Sequence, residues 1–234
     1  MKALLSSTYF GPIQWYQKLN RYDECLIERH ESFIKQTYRN RMLIPTTNGP
    51  LSLTIPTNHN TSLAMKDIRI SDHANWRHVH WNALLSAYGE SPFFEYYQDD
   101  IRPFYEKKYE FLFDFNMETT EKMIELLDIR PKISVTSEYI QSEELKVKSE
   151  EFNGLANHKV QSSNHKVQSK EVQSKEVQSI VDFREAIRPK KPLPDAEFES
   201  KRYYQVYEQK FGFQPNMSIL DLLFNEGNEA IFYL

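Results

Sequence analysis

The chain has 234 residues, 40% of them hydrophobic and 14% aromatic, and a formal net charge of -4. That length and apolar content suffice for one substantial core in one or at most two domains and exclude a chain disordered throughout; the acidic balance and a pI near 6.0 argue against a binder of duplex nucleic acid, which would carry a basic face. A lone cysteine, Cys25, excludes an intramolecular disulfide, and the opening Met1-Lys-Ala-Leu-Leu5 is too short an apolar run for a signal peptide or a membrane span, so a cytoplasmic protein without membrane insertion is expected.

Residues 2–7 read as a strand. Gly11-Pro12 then opens a helix whose Trp15, Tyr16, Leu19 and Tyr22 share one face, with Pro12 suited to the first turn. Residues 24–30 and 41–45 read as further strands, and Cys25, flanked by apolar residues, reads as core rather than as a nucleophile. After the Asn48-Gly49-Pro50 turn, Leu51, Leu53 and Ile55 alternate with polar residues, which predicts a strand with one buried face. A strand–helix–strand beginning implies a sheet covered by helices. Helices are expected over 72–88, 103–115 and 117–127, the last with Asn116 as its N-cap, and Ile133-Ser-Val135 reads as a returning strand beyond Pro131.

From Asn157 to Ser179 the chain repeats itself: Asn-His-Lys-Val-Gln-Ser-Ser, Asn-His-Lys-Val-Gln-Ser-Lys, then Glu-Val-Gln-Ser-Lys and Glu-Val-Gln-Ser. Without an aromatic residue, and with valines that keep neither a heptad nor a helical face, this reads as a solvated linker or frayed helix, and His158 and His165 recur only because the unit does. Order resumes over 180–187. Pro189, Pro192 and Pro194 then force an extended path, and the aromatic tail through Tyr203, Tyr207, Phe211 and Phe213 is expected to pack back on the N-terminal half. The final helix is signalled by Ser218 and Asp221 as a capping box, by Leu220, Leu223 and Phe224 at helical spacing, and by Gly227 at its end. The expected fold is α/β, a mixed sheet flanked by helices in a single domain with a low-complexity insertion: residues 1–150, a repeat-bearing linker over 151–180, and residues 181–234 completing the same domain.

Chemistry is densest in Lys35-Gln-Thr-Tyr-Arg-Asn-Arg41. Three cations, two amides and a tyrosine in seven positions suit an anionic, hydrogen-bonding ligand, because arginine offers a rigid donor fork matched to phosphate or carboxylate. In Asp72-His-Ala-Asn-Trp-Arg-His-Val-His-Trp81, His73 and His80 return to one helical face while His78 points away, so a three-histidine metal site is not expected, and no HExxH spacing occurs. His80 instead joins Trp76, Leu84 and Tyr88 in an inner stripe, either as a satisfied core histidine or as a site residue facing the sheet ends. With 6 glycines the chain lacks GxGxxG, the P-loop and GxSxG, and Asp99, Asp100, Glu106 and Glu110 read as solvent-facing, so neither cofactor nor metal is expected.

Several ordered blocks together resemble the WbqC-like proteins: Thr8-Tyr-Phe-Gly-Pro-Ile-Gln-Trp-Tyr16, Lys35 to Arg41, Asn48-Gly-Pro-Leu-Ser-Leu-Thr-Ile-Pro56, Trp76 with His80, Ser91-Pro-Phe-Phe-Glu-Tyr-Tyr97 and Pro215-Asn-Met-Ser-Ile-Leu-Asp-Leu-Leu-Phe-Asn225. Many relatives carry a His-Gln-Pro-type motif where this chain has Leu5-Ser-Ser-Thr-Tyr9, and a glycine-rich turn where it has the repeat and Arg188-Pro-Lys-Lys-Pro192; this shorter form resembles a Bacteroidetes-like branch. The resemblance implies work in bacterial O-antigen or other surface-polysaccharide biosynthesis, as a transferase moving an acyl or aminoacyl group onto an amino-sugar nucleotide, or as a noncatalytic binding or scaffold protein of the same pathway. In the enzyme reading Lys35, Arg39 and Arg41 bind phosphate or carboxylate, Tyr9, Gln14, Thr37, Asn40 and Asn216 orient a sugar nucleotide or other anionic small molecule, and His80 is the base that deprotonates the attacking amine.

Overall fold

The computed structural model describes residues 1–58, 63–142 and 179–234; all of the repeat before Ser179 lies outside the described residues. In chain order the elements are β1 (Lys2–Ser6), α1 (Ile13–Arg21), β2 (Glu24–Glu28), β3 (Arg41–Thr46), β4 (Gly49–Thr54), α2 (Trp76–Tyr88), α3 (Phe94–Ile101), α4 (Pro103–Glu106), α5 (Leu112–Leu126), β5 (Ile133–Val135), β6 (Ile180–Asp182), α6 (Glu208–Phe211) and α7 (Ile219–Glu226). The α/β expectation holds, with the two kinds of strand pairing divided between two sheets. A four-stranded parallel sheet runs in the order β5-β2-β1-β6, and β3 and β4 form a separate antiparallel hairpin.

β1 is central. Its Ala3, Leu4 and Leu5 are fully buried, as both faces of an inner parallel strand must be. In register Lys2 faces Glu24 and Ser6 faces Glu28 across to β2, while Lys2 faces Ile180 and Leu4 faces Asp182 across to β6. Pro12 is the N-cap of α1 in an extended conformation, one residue before the position expected for it.

Three boundaries differ from the sequence reading. The helix expected over 72–88 starts at Trp76, because Ala74 and Asn75 take left-handed backbone angles, φ 65° and φ 45°. The helix expected over 103–115 is broken after Glu106: Ile70 N–H donates to Glu110 O and Leu112 N–H to Ile68 O, so chain pairing at Arg69 and Phe111 replaces a helical turn. α5 then runs straight through Asn116, which is therefore no N-cap; it is fully buried, and its Nδ2 donates to Arg39 O at 2.8 Å and to Ser7 Oγ at 3.3 Å.

The C-terminal tail packs on the N-terminal half as expected. Ser218 caps α7 by accepting from Leu220 N–H, donates its hydroxyl to Phe10 O at 2.7 Å, and gives its own N–H to Leu43 O, so one residue ties the β1–α1 turn, β3 and α7 together. Asp221 does not complete a capping box: it is fully buried and accepts from Tyr203 Oη and Gln205 Nε2. Gly227 ends the helix with φ 57° as expected.

Candidate functional site

Loops that leave the carboxyl ends of parallel strands converge on one edge of the sheet, and ligands bind there in open α/β folds. Here β1 leads into Ser6–Thr8, β2 into Glu28–Glu31, β5 into Thr136–Ser142 and β6 into Asp182–Glu185, and a cleft of about 450 Å³ opens among His30, Glu31, Arg39, Tyr139, Ser142 and Arg184.

Its walls are ionic. The Arg39 guanidinium grips Glu31 in a fork, Nε to Oε1 at 2.8 Å and Nη2 to Oε2 at 2.5 Å, and also donates to Ser6 Oγ at 2.9 Å and Thr37 Oγ1 at 3.2 Å. Arg184 makes a second fork on Asp182, Nε to Oδ1 at 3.0 Å and Nη2 to Oδ2 at 2.7 Å, and Nη2 reaches Ile140 O and Ser142 Oγ. Glu28, fully buried, accepts from His30 N–H, Thr136 Oγ1 and Ile140 N–H at 2.7–2.9 Å. Burial alone would raise the Asp182 carboxyl, but the hydrogen bonds from Arg184 and Ser142 bring it below the usual carboxylate range; burial likewise opposes the charge of Arg184, and Asp182 outweighs it.

One donor in this network is left over. Among the described residues Arg184 Nη1 is buried without a hydrogen-bond partner, its ion pair with Glu28 Oε2 being long at 3.8 Å, in a side chain only 5% exposed. A buried guanidinium N–H costs about 1–3 kcal/mol when unmet, so natural sites rarely retain one without use.

The residues singled out by sequence fall into four places. Arg39 lines the cleft, Thr37 Oγ1 accepts from its guanidinium, and Lys35 is exposed in the same loop. Asn40 and Arg41 brace the hairpin beside it: Asn40 Nδ2 donates to Ile55 O at 3.0 Å and Arg41 Nε to Thr54 Oγ1 at 3.0 Å. Gln14 and Asn216 hold each other, Gln14 N–H to Asn216 Oδ1 at 2.9 Å and Asn216 Nδ2 to Gln14 Oε1 at 3.0 Å, beside the fully buried Lys18, which donates to Asp195 at 2.9 Å and lies 4.3 Å from the Phe183 ring.

Tyr9 and His80 occupy the interior. Tyr9 Oη lies 2.9 Å from His80 Nδ1 and 2.9 Å from Tyr105 Oη. Burial pushes His80 down to about 4, only partly opposed by the Thr54 backbone, so the ring is neutral at pH 7. Tyr9 is raised well above 10, first by its burial and then by Tyr105.

Glu28, Glu31, Asp182 and Arg184 were not among the residues expected from sequence. The signal available for them was position: Glu28 and Glu31 lie near the carboxyl end of the segment read as a strand over 24–30, whereas Asp182 and Arg184 lie within the segment of resumed order, 180–187, and mark a strand end only once β6 is seen to stop at Asp182. Among the described residues no group of three or more His, Cys, Asp or Glu is placed to hold a metal ion, and no helix is long and apolar enough to cross a membrane.

Comparison with known proteins agrees with the sequence resemblance. The WbqC-like protein family matches residues 6–233. The chain is 28% identical over 235 residues, 99% of its length and 96% of the relative's, to the uncharacterized protein Rv1507c of Mycobacterium tuberculosis (strain ATCC 25618 / H37Rv). No solved structure matches.

Proposed function

The chain belongs to the WbqC-like protein family, and from that premise we propose that the carboxyl-edge cleft binds an amino-sugar nucleotide or a similar amine-bearing anion, to whose amine the protein transfers an acyl or aminoacyl group in bacterial surface-polysaccharide assembly such as that of O-antigen. The observation that carries this reading is the unmet Arg184 Nη1 at a cleft that also holds buried carboxylates. A phosphate or carboxylate satisfies the leftover donor, and an ammonium or amine finds the exposed Glu185 carboxylate on the cleft wall; a ligand with both groups fits better than one with either.

Arg39 and Thr37 shape the anion-binding wall, Lys35 adds positive charge at the rim, and Asn40 and Arg41 hold the loop that carries Arg39. Gln14 and Asn216 fix α1 and the α7 entry behind the sheet edge. In the transfer step the amine nitrogen bonds to the carbonyl carbon of an activated acyl donor, the bond from that carbon to its leaving group breaks, and the departing thiolate or phosphate takes up the proton the amine gives up. His80 keeps a neutral ring but is buried with Nδ1 on Tyr9 Oη, so in this reading it positions Tyr9 and does not touch the amine.

A second reading, a noncatalytic binding protein of the same pathway, is favoured by one observation: His80 is buried in the core with Nδ1 already engaged by Tyr9 Oη. Calorimetric titration with a uridine diphosphate amino sugar, alongside the N-acetylated form and uridine diphosphate itself, tests the binding claim. The free amine should bind most tightly, and Arg184→Gln should weaken it at least tenfold, consistent with the ~1.5–3 kcal/mol of a charge-assisted bond. Equal binding of the acetylated sugar, or full affinity in a folded Arg184→Gln protein, sinks the assignment. Mass spectrometry of the sugar after incubation with acyl thioesters and acyl phosphates separates enzyme from binder: an acylated product supports transfer, and tight binding without product supports the second reading.

A further inference from the structure

A second cleft, of about 360 Å³, lies on the helical side of the molecule between the start of α2 and α4, and the proposed transfer does not use it. Three cations, Arg77, Arg102 and Lys108, surround it against Glu106. Arg77 is anchored by Asp72 at 2.5 Å and by Lys107 O at 3.2 Å, which leaves its Nη2 buried without a hydrogen-bond partner. Arg102 and Lys108 are held only by exposed pairs, to Glu106 and Asp72, that an incoming anion can displace at little cost.

Two aromatic rings line the same cleft. Trp81 and Tyr105 lie 5.8 Å apart at 39°, and Trp81 is only partly buried, so a ring surface remains available. At its lip Ala74 and Asn75 both hold left-handed angles without being glycine, and such strain gathers at ligand sites. Tyr105 also continues inward to Tyr9 and His80.

We infer that this cleft binds a phosphorylated small molecule carrying a planar ring, of the nucleoside phosphate class, with the ring on Trp81 and the phosphate between Arg102, Lys108 and the spare donor of Arg77. Neither group alone accounts for the pairing of a half-buried indole with three converging cations, whereas a nucleotide uses both.

The test is calorimetric titration of the full chain with uridine monophosphate, with inorganic phosphate and uridine as part-ligands. Saturable binding of the nucleotide, at least tenfold tighter than either part, is expected. Arg102→Gln with Lys108→Gln, both on exposed side chains, should weaken it at least tenfold and flatten its salt dependence; Trp81→Leu should weaken it comparably; Lys201→Gln, an exposed cation that lines neither cleft, should leave it unchanged. The inference is overturned if uridine monophosphate does not bind at millimolar concentration, if phosphate alone binds as tightly, or if Arg184→Gln abolishes binding while the Arg102/Lys108 double variant retains it. That last result moves the nucleotide to the sheet edge and supports the proposed function, so the two readings fail separately.

Discussion

At the scale of single residues, the interior decides what each polar side chain can do. Arg39 sits in a fork with Glu31, both side chains nearly inaccessible, so Arg39→Ala strands a buried carboxylate and should cost about 3–5 kcal/mol. Arg41, half-buried and held by a single hydroxyl, should cost about 1 kcal/mol on the same substitution. Urea midpoints of the two single variants check this ordering, and a smaller loss for Arg39→Ala contradicts it. His80 carries a pH signature. Its folded value of about 4 lies below the unfolded value near 6.5, so the unfolded chain binds more protons between those limits; the contribution of His80 is complete above pH 6.5 and is lost as pH falls toward 4. From pH 7 to 5 the loss should be about 2 kcal/mol, and His80→Asn, which can still accept from Tyr9, should remove most of it. Asp221 works in the opposite sense. Burial raises it to about 6, so its cost is full above pH 6 and relieved as pH falls toward 4, and Asp221→Asn should steepen the acid loss that His80→Asn removes. Unfolding curves at pH 7 and 5 for both variants separate the two groups.

At the scale of elements, boundaries were set by partners as much as by propensity. The helix that local pattern places over 103–115 gives way at residues 107–111 because that stretch finds backbone partners at Ile68 and Ile70, and an Asn placed as a cap ends inside a helix because its amide is needed by Arg39 O. Caps with a local origin kept their roles. Ser218 and Gly227 both stand where the pattern put them, and each also makes a tertiary contact. At Gly227 a Cβ would come within 2.8 Å of the Phe93 ring at a φ of 57°, so Gly227→Ala should destabilise by more than about 2 kcal/mol, combining strain with overpacking. Ser218→Ala removes a cap and the bond to Phe10 O and should cost about 1–2 kcal/mol. Thermal melts of the two variants test the order, with Gly227→Ala the lower.

At the scale of the whole molecule, the C-terminal tail is part of the core rather than an appendage. Ile219, Leu220, Leu222, Leu223 and Phe224 are all fully buried, and at about 1.5–3 kcal/mol each their loss exceeds the net stability of an ordinary domain. A chain ending at Gln214 should therefore lack a cooperative melt and a near-ultraviolet circular dichroism signal; a folded truncated protein would contradict the packing described. By itself the sequence marked most elements in their order, though not α3 or the break after Glu106, since strand alternation, helical apolar spacing, proline and glycine punctuation and serine capping act through neighbours a few positions away. It also marked residues 35–41 as a place of concentrated cations. Only the tertiary structure decided which of those cations faces a cleft, because Arg39 and Arg41 look alike in the chain and differ in whether Glu31 or Thr54 lies opposite. It also assembled the carboxyl-edge cleft and its ionic wall from Glu28, Glu31, Asp182 and Arg184, which follow β2 and β6, set on either side of β1 only by parallel pairing. Burial and strand pairing join residues distant in the chain, and local pattern carries no record of that meeting.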